Sequence, residues 1–182
     1  MKERNLTRKI VIASMLAALT CVATMIIKIP SPLKGYLNLG DCVVLGCGWV
    51  LSPIFGFLSA GIGSALADLF SGYVIYSPAT FLIKGLMVLI AHFGFKLLRK
   101  KIGNLTSKII SGFFAEALMV LCYFVFEGFL YGFGASLVNI PANCIQGIAG
   151  LILGCILIKS FEKARYRFKP IIKKGGHMTA FS

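Results

Sequence analysis

The stretch LADLFSGYVIYSPATFLIKG, residues 66–85, places an aspartate and a lysine inside two apolar segments that are suited to lipid. Asp68 lies near the end of the first segment, and Lys84 lies less than two turns into the second. A charge at the centre of a bilayer costs about 2.5–3.5 kcal/mol on insertion scales, so such side chains face a bundle interior and usually pair. The stretch therefore predicts two membrane helices that contribute opposite charges to one polar region.

Composition places the whole chain in the membrane. Hydrophobic residues occupy 58% of the 182 positions, charged residues occupy 14%, and the mean hydropathy is +0.88. Soluble domains contain about 45–50% apolar and about 25% charged residues. Six spans of about 20 residues use most of the chain. We therefore predict an all-α integral membrane protein with one six-helix transmembrane domain, residues 1–170, followed by a disordered tail, residues 171–182.

The 19 lysines and arginines predict the orientation of these spans. Most of them fall in three clusters, at residues 2–9, 96–108 and 159–174. Lysine and arginine concentrate in the cytoplasmic loops of membrane proteins, and basic segments there also contact anionic lipid headgroups. Six spans put all three clusters in the cytoplasm, so we expect both termini inside. Topology therefore explains the net charge of +13 without a nucleic-acid partner.

The predicted spans are separated by short connections, several of which contain proline or glycine. Residues 29–40, IPSPLKGYLNLG, are expected to form an ordered but irregular outer loop. The second span is short for a crossing, which requires about 20 residues, so we expect it to be tilted or partly re-entrant. The six spans are predicted at about residues 8–28, 41–51, 52–72, 78–98, 105–131 and 136–158.

The charged residues within the spans lie on the outer side of the predicted bundle. Asp41 opens span two, while Asp68 and Glu127 each lie about one turn from the outer end of a span. Lys84 is the obvious counter-ion, and its partner is Asp68, Asp41 or Glu127. The pattern predicts a pocket for a small polar ligand. The alternative is that these groups only hold the helices together, as polar side chains often do in membranes.

Amides and aromatic residues extend this polar cluster. Asn139, Asn143 and Gln146 have the spacing i, i+4 and i+7, which puts them on one face of span six. Tyr123 joins the cluster from span five. Ligand pockets combine a few such polar groups with aromatic walls. The candidates for the walls are Phe81, Tyr73, Tyr76, Phe126 and Phe129.

The motifs of common enzyme classes are absent from the sequence. There is no P-loop, no HExxH and no GxSxG motif, and the six cysteines form no CxxC pair. Glu116, deeper in span five, is expected to have a structural role or to face a partner. We therefore expect no enzymatic activity, no cofactor and no metal.

The pieces YLNLGD, GSALADL, SGY and PATFLIKGLM, within residues 35–87, carry a family resemblance. They resemble the substrate-binding membrane subunit, or S component, of energy-coupling factor (ECF) vitamin transporters of the riboflavin or hydroxymethylpyrimidine/pyridoxine type. The resemblance extends over essentially the whole chain in length and span count. It implies a six-helix bundle in the bacterial plasma membrane with both termini in the cytoplasm.

The resemblance also implies a docking face on helix one and a vitamin site near the extracellular surface. The docking face is an Ala-xxx-Ala pattern that contacts a transmembrane coupling subunit, and Ala13 and Ala17 match it. That subunit joins two cytoplasmic ATPases, which drive release of the cargo inside. The site positions implied by the resemblance are Tyr36, Asn38, Thr80, Lys84, Glu127, Asn139 and Asn143.

The cargo and the energy source of transport each have an alternative. A pocket with a lysine, carboxylates and amides favours a small polar heterocycle such as hydroxymethylpyrimidine or pyridoxine. Riboflavin is the alternative, because it would need more aromatic stacking area. For the energy source, the alternative is an autonomous secondary carrier in which Asp68, Glu127 and Lys84 bind cations or relay protons.

Overall fold

The computed structural model describes residues 2–31 and 35–175, with side-chain environments defined for residues 6–31 and 35–163. The chain is mostly helical, with one short hairpin. The elements in chain order are α1 (Lys2–Ile26), β1 (Lys28–Pro30), β2 (Tyr36–Asn38), α2 (Gly40–Val50), α3 (Pro53–Phe70), α4 (Ser77–Ile102), α5 (Asn104–Tyr131), α6 (Phe133–Ser136), a 3-10 turn (Leu137–Asn139) and α7 (Ile140–Gly175).

Five segments of the described chain are helical, long and apolar enough to cross a membrane. They comprise residues 6–26, 53–70, 77–102, 104–131 and 133–163. The helix α2 has 11 residues, and at 1.5 Å per residue it is about 16 Å long, roughly half of a 30 Å hydrocarbon core. The predicted helical membrane fold is confirmed, but the count of six full spans is not.

The short helix α2 lies at the centre of the bundle. It packs against α1, α3, α4, α5 and α7, and nine of its 11 residues are buried. A glycine allows close approach, since a Cβ at Gly48 would lie 2.8 Å from the Cβ of Ala91 on α4. Leu45 belongs to the same apolar core as Met87 on α4 and Met119 on α5. Neighbouring helices thus shield α2 from lipid, so it does not need the length of a lipid-exposed span.

Helices α1 and α3 pack closely along a face of small residues. The hydroxyl of Ser59 donates a hydrogen bond of 2.8 Å to the carbonyl oxygen of Ala13. One turn further, a Cβ at Gly63 would lie 2.3 Å from the carbonyl oxygen of Ala17. Small residues allow such close backbone contact between membrane helices. Because Ala13 is only 8% exposed, the predicted docking face is partly covered by α3 of the same chain.

The connection between α1 and α2 contains an antiparallel β-hairpin. Lys28 lies opposite Asn38, and Pro30 lies opposite Tyr36. The sequence predicted an irregular loop here, which is wrong for the paired residues. Strands of three residues are too short to give an alternating pattern, and Pro30 lacks the N–H that a ladder needs. Residues 32–34 of the predicted loop lie outside the described part of the chain.

The sixth predicted span is interrupted near its start and continues past its predicted end. Gly132 has a φ of +91°, a conformation that glycine adopts readily, and α5 ends just before it. Pro141 lies in the first turn of α7, where its missing N–H leaves no helical hydrogen bond unmade. The helix runs to Gly175, so residues 171–175 are helical although a disordered tail was predicted. Residues 176–182 lie outside the described part.

We expect Gly63→Ala to lower the free energy of unfolding by about 1–3 kcal/mol, the usual cost of overpacking a tight contact. The added methyl group forces α1 away from α3. Gly134→Ala is the matched control, because a Cβ at Gly134 meets nothing within 4 Å. Thermal unfolding of the purified protein in detergent measures both variants. Equal stability of the two variants would contradict the tight α1–α3 contact.

Candidate functional site

A polar cavity lies at the hairpin end of the bundle, opposite the basic clusters. It is enclosed by the hairpin and by the ends of α1, α3, α4, α5 and α7. Its volume is about 30 Å³, which is room for only a few water molecules. All predicted binding residues except Asp41 line it. The lining residues are Thr24, Ser31, Gly35, Tyr36, Asn38, Ser64, Asp68, Tyr73, Tyr76, Thr80, Lys84, Tyr123, Glu127, Asn139, Asn143 and Gln146.

The floor of the cavity is a buried ion pair. The ammonium group of Lys84 donates to Oδ1 of Asp41, and both side chains are almost completely buried. The other oxygen of Asp41 accepts a hydrogen bond of 2.7 Å from the amide of Gln146. The backbone N–H of Asn38 in turn donates to Oε1 of Gln146 at 2.9 Å. Of the three partners left open for Lys84, the structure thus selects Asp41, and the network joins α2, α4, α7 and the hairpin.

Asp68 is paired with the hairpin instead of with Lys84. The phenol of Tyr36 donates a hydrogen bond of 2.6 Å to Oδ1 of Asp68. Burial and the nearby carboxylate raise the pKa of Tyr36 above its usual range, so the phenol keeps its proton and remains a donor. The ring of Tyr36 lies 4.6 Å from that of Tyr73, and Lys28 donates to the hydroxyl of Ser71 at 3.0 Å. These contacts attach the hairpin to the end of α3.

Glu127 forms the opposite wall of the cavity, on α5. Its Oε1 accepts hydrogen bonds from the amide of Asn139 at 2.7 Å and from the phenol of Tyr76 at 3.4 Å. The carboxylate is 2% exposed. Next to it, the hydroxyls of Thr80 and Tyr123 share a hydrogen bond of 3.0 Å. Residues from α4, α5 and the turn before α7 thus hold Glu127 facing the cavity.

Several oxygens of the lining have no hydrogen-bond partner. Among the described residues, seven buried side-chain oxygens lack a partner, and five of these belong to residues that line the cavity. Leaving a buried polar atom unsatisfied costs about 1–3 kcal/mol. Five such atoms around one cavity indicate a site shaped for an external donor. The five atoms are Ser31 Oγ, Ser64 Oγ, Asp68 Oδ2, Glu127 Oε2 and Asn139 Oδ1.

The remaining two unpartnered oxygens belong to Glu116, deeper in the bundle. Glu116 is 5% exposed, and its side chain lies against α7, where Gly147 and Gly150 leave room for it. The expectation that Glu116 faces a partner is therefore wrong, and the structural interpretation fits its position. The glycines allow a carboxyl group to pack directly on a helix backbone.

Of the predicted aromatic walls, Tyr73 and Tyr76 line the cavity, whereas three phenylalanines do not. Phe126 packs behind Tyr76 with a ring distance of 5.4 Å, and Phe81 packs on a ring of α3. Phe129 is 79% exposed, so its assignment as a wall is wrong. Aromatic residues near the ends of membrane helices commonly face the lipid interface, and helical spacing alone did not separate the two groups.

Four lining residues were not predicted from the sequence. Ser64 lies among the small residues of α3, which in membrane helices commonly serve close packing. Ser31 and Gly35 lie in the hairpin loop, whose shape no periodicity reveals. Thr24 is the one with a detectable signal, because Thr20 and Thr24 are four residues apart and both hydroxyls donate to the carbonyl four residues earlier. A polar pair at that spacing marks the face of α1 that points inward.

The predicted docking residues lie outside this cavity, in a groove on the other side of α1. The groove runs between α1 and α3, has a volume of about 620 Å³, and is lined mainly by apolar side chains. Ala13 and Ala17 both belong to its lining. Ala17 is half-buried and Ala13 is buried. Most of the accessible surface of the groove therefore belongs to the side chains around these two alanines.

Two comparisons with known proteins, a family model and a solved structure, both indicate an ECF S component. The family described as "ECF-type riboflavin transporter, S component" matches residues 4–163. A solved structure described as "Structure and mechanism of the S component of a bacterial ECF transporter" is 26% identical, with a TM-score of 0.70, and the match covers 87% of this chain and 97% of that one. An "Uncharacterized protein in gap 3'region" of Pyrococcus woesei is 32% identical over 135 residues, which are 73% of this chain and 87% of the relative.

We expect Lys84→Met to lower the free energy of unfolding by about 3–5 kcal/mol, because it leaves the charge of Asp41 buried without a counter-ion. Adding Asp41→Asn removes that charge, and the double variant should recover at least half of the loss. Lys28→Met, at an exposed position, is the control and should change stability by less than about 1 kcal/mol. Thermal unfolding in detergent measures all three. A double variant as unstable as Lys84→Met would contradict the pairing.

Proposed function

Because the chain belongs to the family of ECF-type riboflavin transporter S components, we propose that its polar cavity binds a small water-soluble vitamin for uptake. The chain is thus a multi-pass membrane subunit of a transporter and not an enzyme. The vitamin, the residues that hold it and the partner subunits are our proposal. We place the cavity on the extracellular side of a bacterial plasma membrane, since the basic clusters lie at the other end of the bundle.

The observation that carries this proposal is the set of unpartnered oxygens around one small cavity. Five acceptors from the hairpin loop, α3, α5 and the turn before α7 surround it. Five of the seven unpartnered oxygens of the described residues lie around this cavity, whereas Lys84 and Asp41 beneath it satisfy each other. A polar cargo with several N–H or O–H groups would complete the hydrogen bonds of these atoms.

Entry of the cargo requires the hairpin to move. Ligand pockets usually measure about 300–1,000 Å³, whereas this cavity measures about 30 Å³. The hairpin that covers it is held by Tyr36 on Asp68, by Asn38 on Gln146 and by an exposed contact of Lys28. Displacing residues 28–31 and 35–38 breaks these contacts without separating two helices. We therefore propose that the hairpin opens to admit the vitamin.

The favoured cargo is a hydroxymethylpyrimidine-like or pyridoxine-like heterocycle. The cavity supplies amides, hydroxyls and carboxylates at short range, which suits a small ring with polar substituents. Riboflavin is the second candidate, and one observation favours it. Four tyrosines line the cavity, and their rings could stack on a larger fused ring system once the hairpin opens. The four are Tyr36, Tyr73, Tyr76 and Tyr123.

The proposed partners are a transmembrane coupling subunit and two cytoplasmic ATPases. Their docking face would be the α1–α3 groove, with Ala17 at its base. A groove lined by small and apolar residues allows a partner helix to approach closely in lipid. The competing function, an autonomous ion-coupled carrier, requires charges that are free to exchange ions. Lys84 is held in a buried pair with Asp41, which argues against that role.

We expect Asn143→Ala to weaken vitamin binding by about 1 kcal/mol, or roughly fivefold in Kd, because it removes an amide from the cavity lining. Cys144→Ala is the matched control, since this neighbour on α7 is exposed and does not line the cavity. Native mass spectrometry of protein purified from rich medium identifies the bound vitamin, and calorimetric titration measures both variants. Equal affinities would remove Asn143 from the site.

Reconstitution in liposomes tests the energy source and the docking face together. We expect vitamin uptake only when the coupling subunit, the ATPases and ATP are all present. Ala17→Leu should fill the base of the groove, abolish uptake and leave vitamin binding unchanged. Phe129→Leu, at a lipid-exposed position outside the groove, should transport normally. Uptake driven by an ion gradient without partners would establish the carrier instead, and uptake by Ala17→Leu would exclude the docking role.

A further inference from the structure

We propose that the cargo binds as a cation, with a protonated amine or ring nitrogen held between Glu127 and Asp68. This inference rests on the proposed function and adds to it the charge of the ligand. It starts from the chemistry of the five unpartnered atoms. All are oxygens, and those of Asp68, Glu127 and Asn139 are carboxylate or carbonyl acceptors. A ligand that satisfies them must supply donors, and a cationic nitrogen is the strongest donor for a carboxylate.

The described residues that line the cavity include more carboxylic acids than cationic groups. Lys84 is the one cation among the lining residues, and it is neutralised by Asp41 directly beneath it. Asp68 and Glu127 form no ion pair within the described chain. Glu116 lies close to Asp41, deeper in the bundle, where both side chains contact Gly150. Lys28 is close to the rim, but its ammonium group is exposed and already donates to Ser71.

The two carboxyl groups that line the cavity each accept hydrogen bonds on one oxygen. Glu127 accepts from an amide N–H and from a phenol, and Asp68 accepts from the phenol of Tyr36. Donors aimed at a carboxyl group favour its charged form. In each case one oxygen is occupied and the other has no partner. The site therefore presents two carboxyl oxygens, Asp68 Oδ2 and Glu127 Oε2, that have no hydrogen-bond partner among the described residues.

Tyrosine rings surround these carboxylates. The rings of Tyr36 and Tyr73 lie 4.6 Å apart, and those of Tyr73 and Tyr76 lie 6.5 Å apart. This row of rings leads from the Asp68 side of the cavity to the Glu127 side, because Tyr36 binds Asp68 and Tyr76 binds Glu127. Aromatic faces attract cations, and rings combined with carboxylates are a recurrent way to bind a charged nitrogen. Neutral acceptors alone would not need this arrangement.

The same geometry disfavours anions. A phosphate or carboxylate on the cargo would face Asp68, Glu127 and the carbonyl oxygen of Asn139, and Lys84, the one cation among the described lining residues, is already paired with Asp41. Like charges brought together at low dielectric repel strongly. The cation of Lys84 could neutralise such a group only by leaving Asp41 unpaired. The described part of the site therefore disfavours phosphorylated vitamins, whereas protonated amino-heterocycles fit it.

Three compounds that share the same ring and differ in one substituent test the effect of the charge of the ligand. Pyridoxamine, pyridoxine and pyridoxate carry an aminomethyl, a hydroxymethyl or a carboxylate group at the same ring position. Thiamine adds a second cation and riboflavin a neutral, larger ring. Calorimetric titration of the full-length protein in detergent at neutral pH compares the five. We expect the tightest ligand to be pyridoxamine or thiamine, with pyridoxate the weakest of its series.

Charge-neutral variants then test whether the carboxylates cause the preference for cationic ligands. Glu127→Gln keeps the acceptor for Asn139, and we expect it to weaken the tightest cation by at least about tenfold, as loss of a charged hydrogen bond requires. Pyridoxine should change by less than about threefold. Asp68→Asn is the second variant, should Glu127→Gln fold poorly. Asn143→Ala is the control that should weaken charged and neutral ligands equally.

The outcomes separate the two proposals. A neutral or anionic compound as the tightest ligand, or a loss below tenfold in both carboxylate variants, overturns the cationic cargo and leaves vitamin binding intact. Failure of all five compounds to bind, together with no vitamin in native mass spectra of the purified protein, overturns the proposed function and the inference with it. A cation bound tightly by the wild type and weakly by either variant supports both.

Discussion

The buried pair between Asp41 and Lys84 is the interaction on which the rest of the structure depends. Each charge would be costly in the membrane without the other, and together they fix α2 against α4. Gln146 binds the second oxygen of Asp41 and the backbone of Asn38. One ion pair thus sets the position of α7 and of the hairpin as well. The cavity lies above this pair, where the hairpin and the ends of five helices meet without filling the space between them.

The pair also divides the polar residues into two classes. Lys84 and Asp41 satisfy each other and form a floor, whereas Asp68 and Glu127 face the cavity with one free oxygen each. Buried ion pairs often add little to stability, since desolvation offsets much of their attraction. Their value here is positional, because the pair occupies the lysine and leaves one oxygen of Asp68 and one of Glu127 facing the cavity. A polar cluster that was simply adhesive would not keep this division.

The sequence predicted what depends on local pattern and charge. Long apolar runs gave the membrane helices, and the polar stripes gave the residues around the cavity. It could not choose the partner of Lys84, because Asp41, Asp68 and Glu127 were at similar depth and only packing of α2 in the centre decided. The hairpin could not be predicted from the sequence either, because strands of three residues are too short to show an alternating pattern. Phe129 and Tyr76 looked alike in sequence. Only their orientation in the bundle decides that Phe129 faces lipid and that Tyr76 lines the cavity.

The shortness of α2 has a consequence for how the protein enters the membrane. A segment of 11 residues is too short to be recognised as a spanning helix by its own hydrophobicity. It carries Asp41, whose counter-ion is 43 positions further along the chain. During synthesis α2 therefore emerges before α4, α5 and α7, the helices that shelter it. Asp41 cannot pair with Lys84 until α4 has been synthesised, so the order of burial differs from the order of translation.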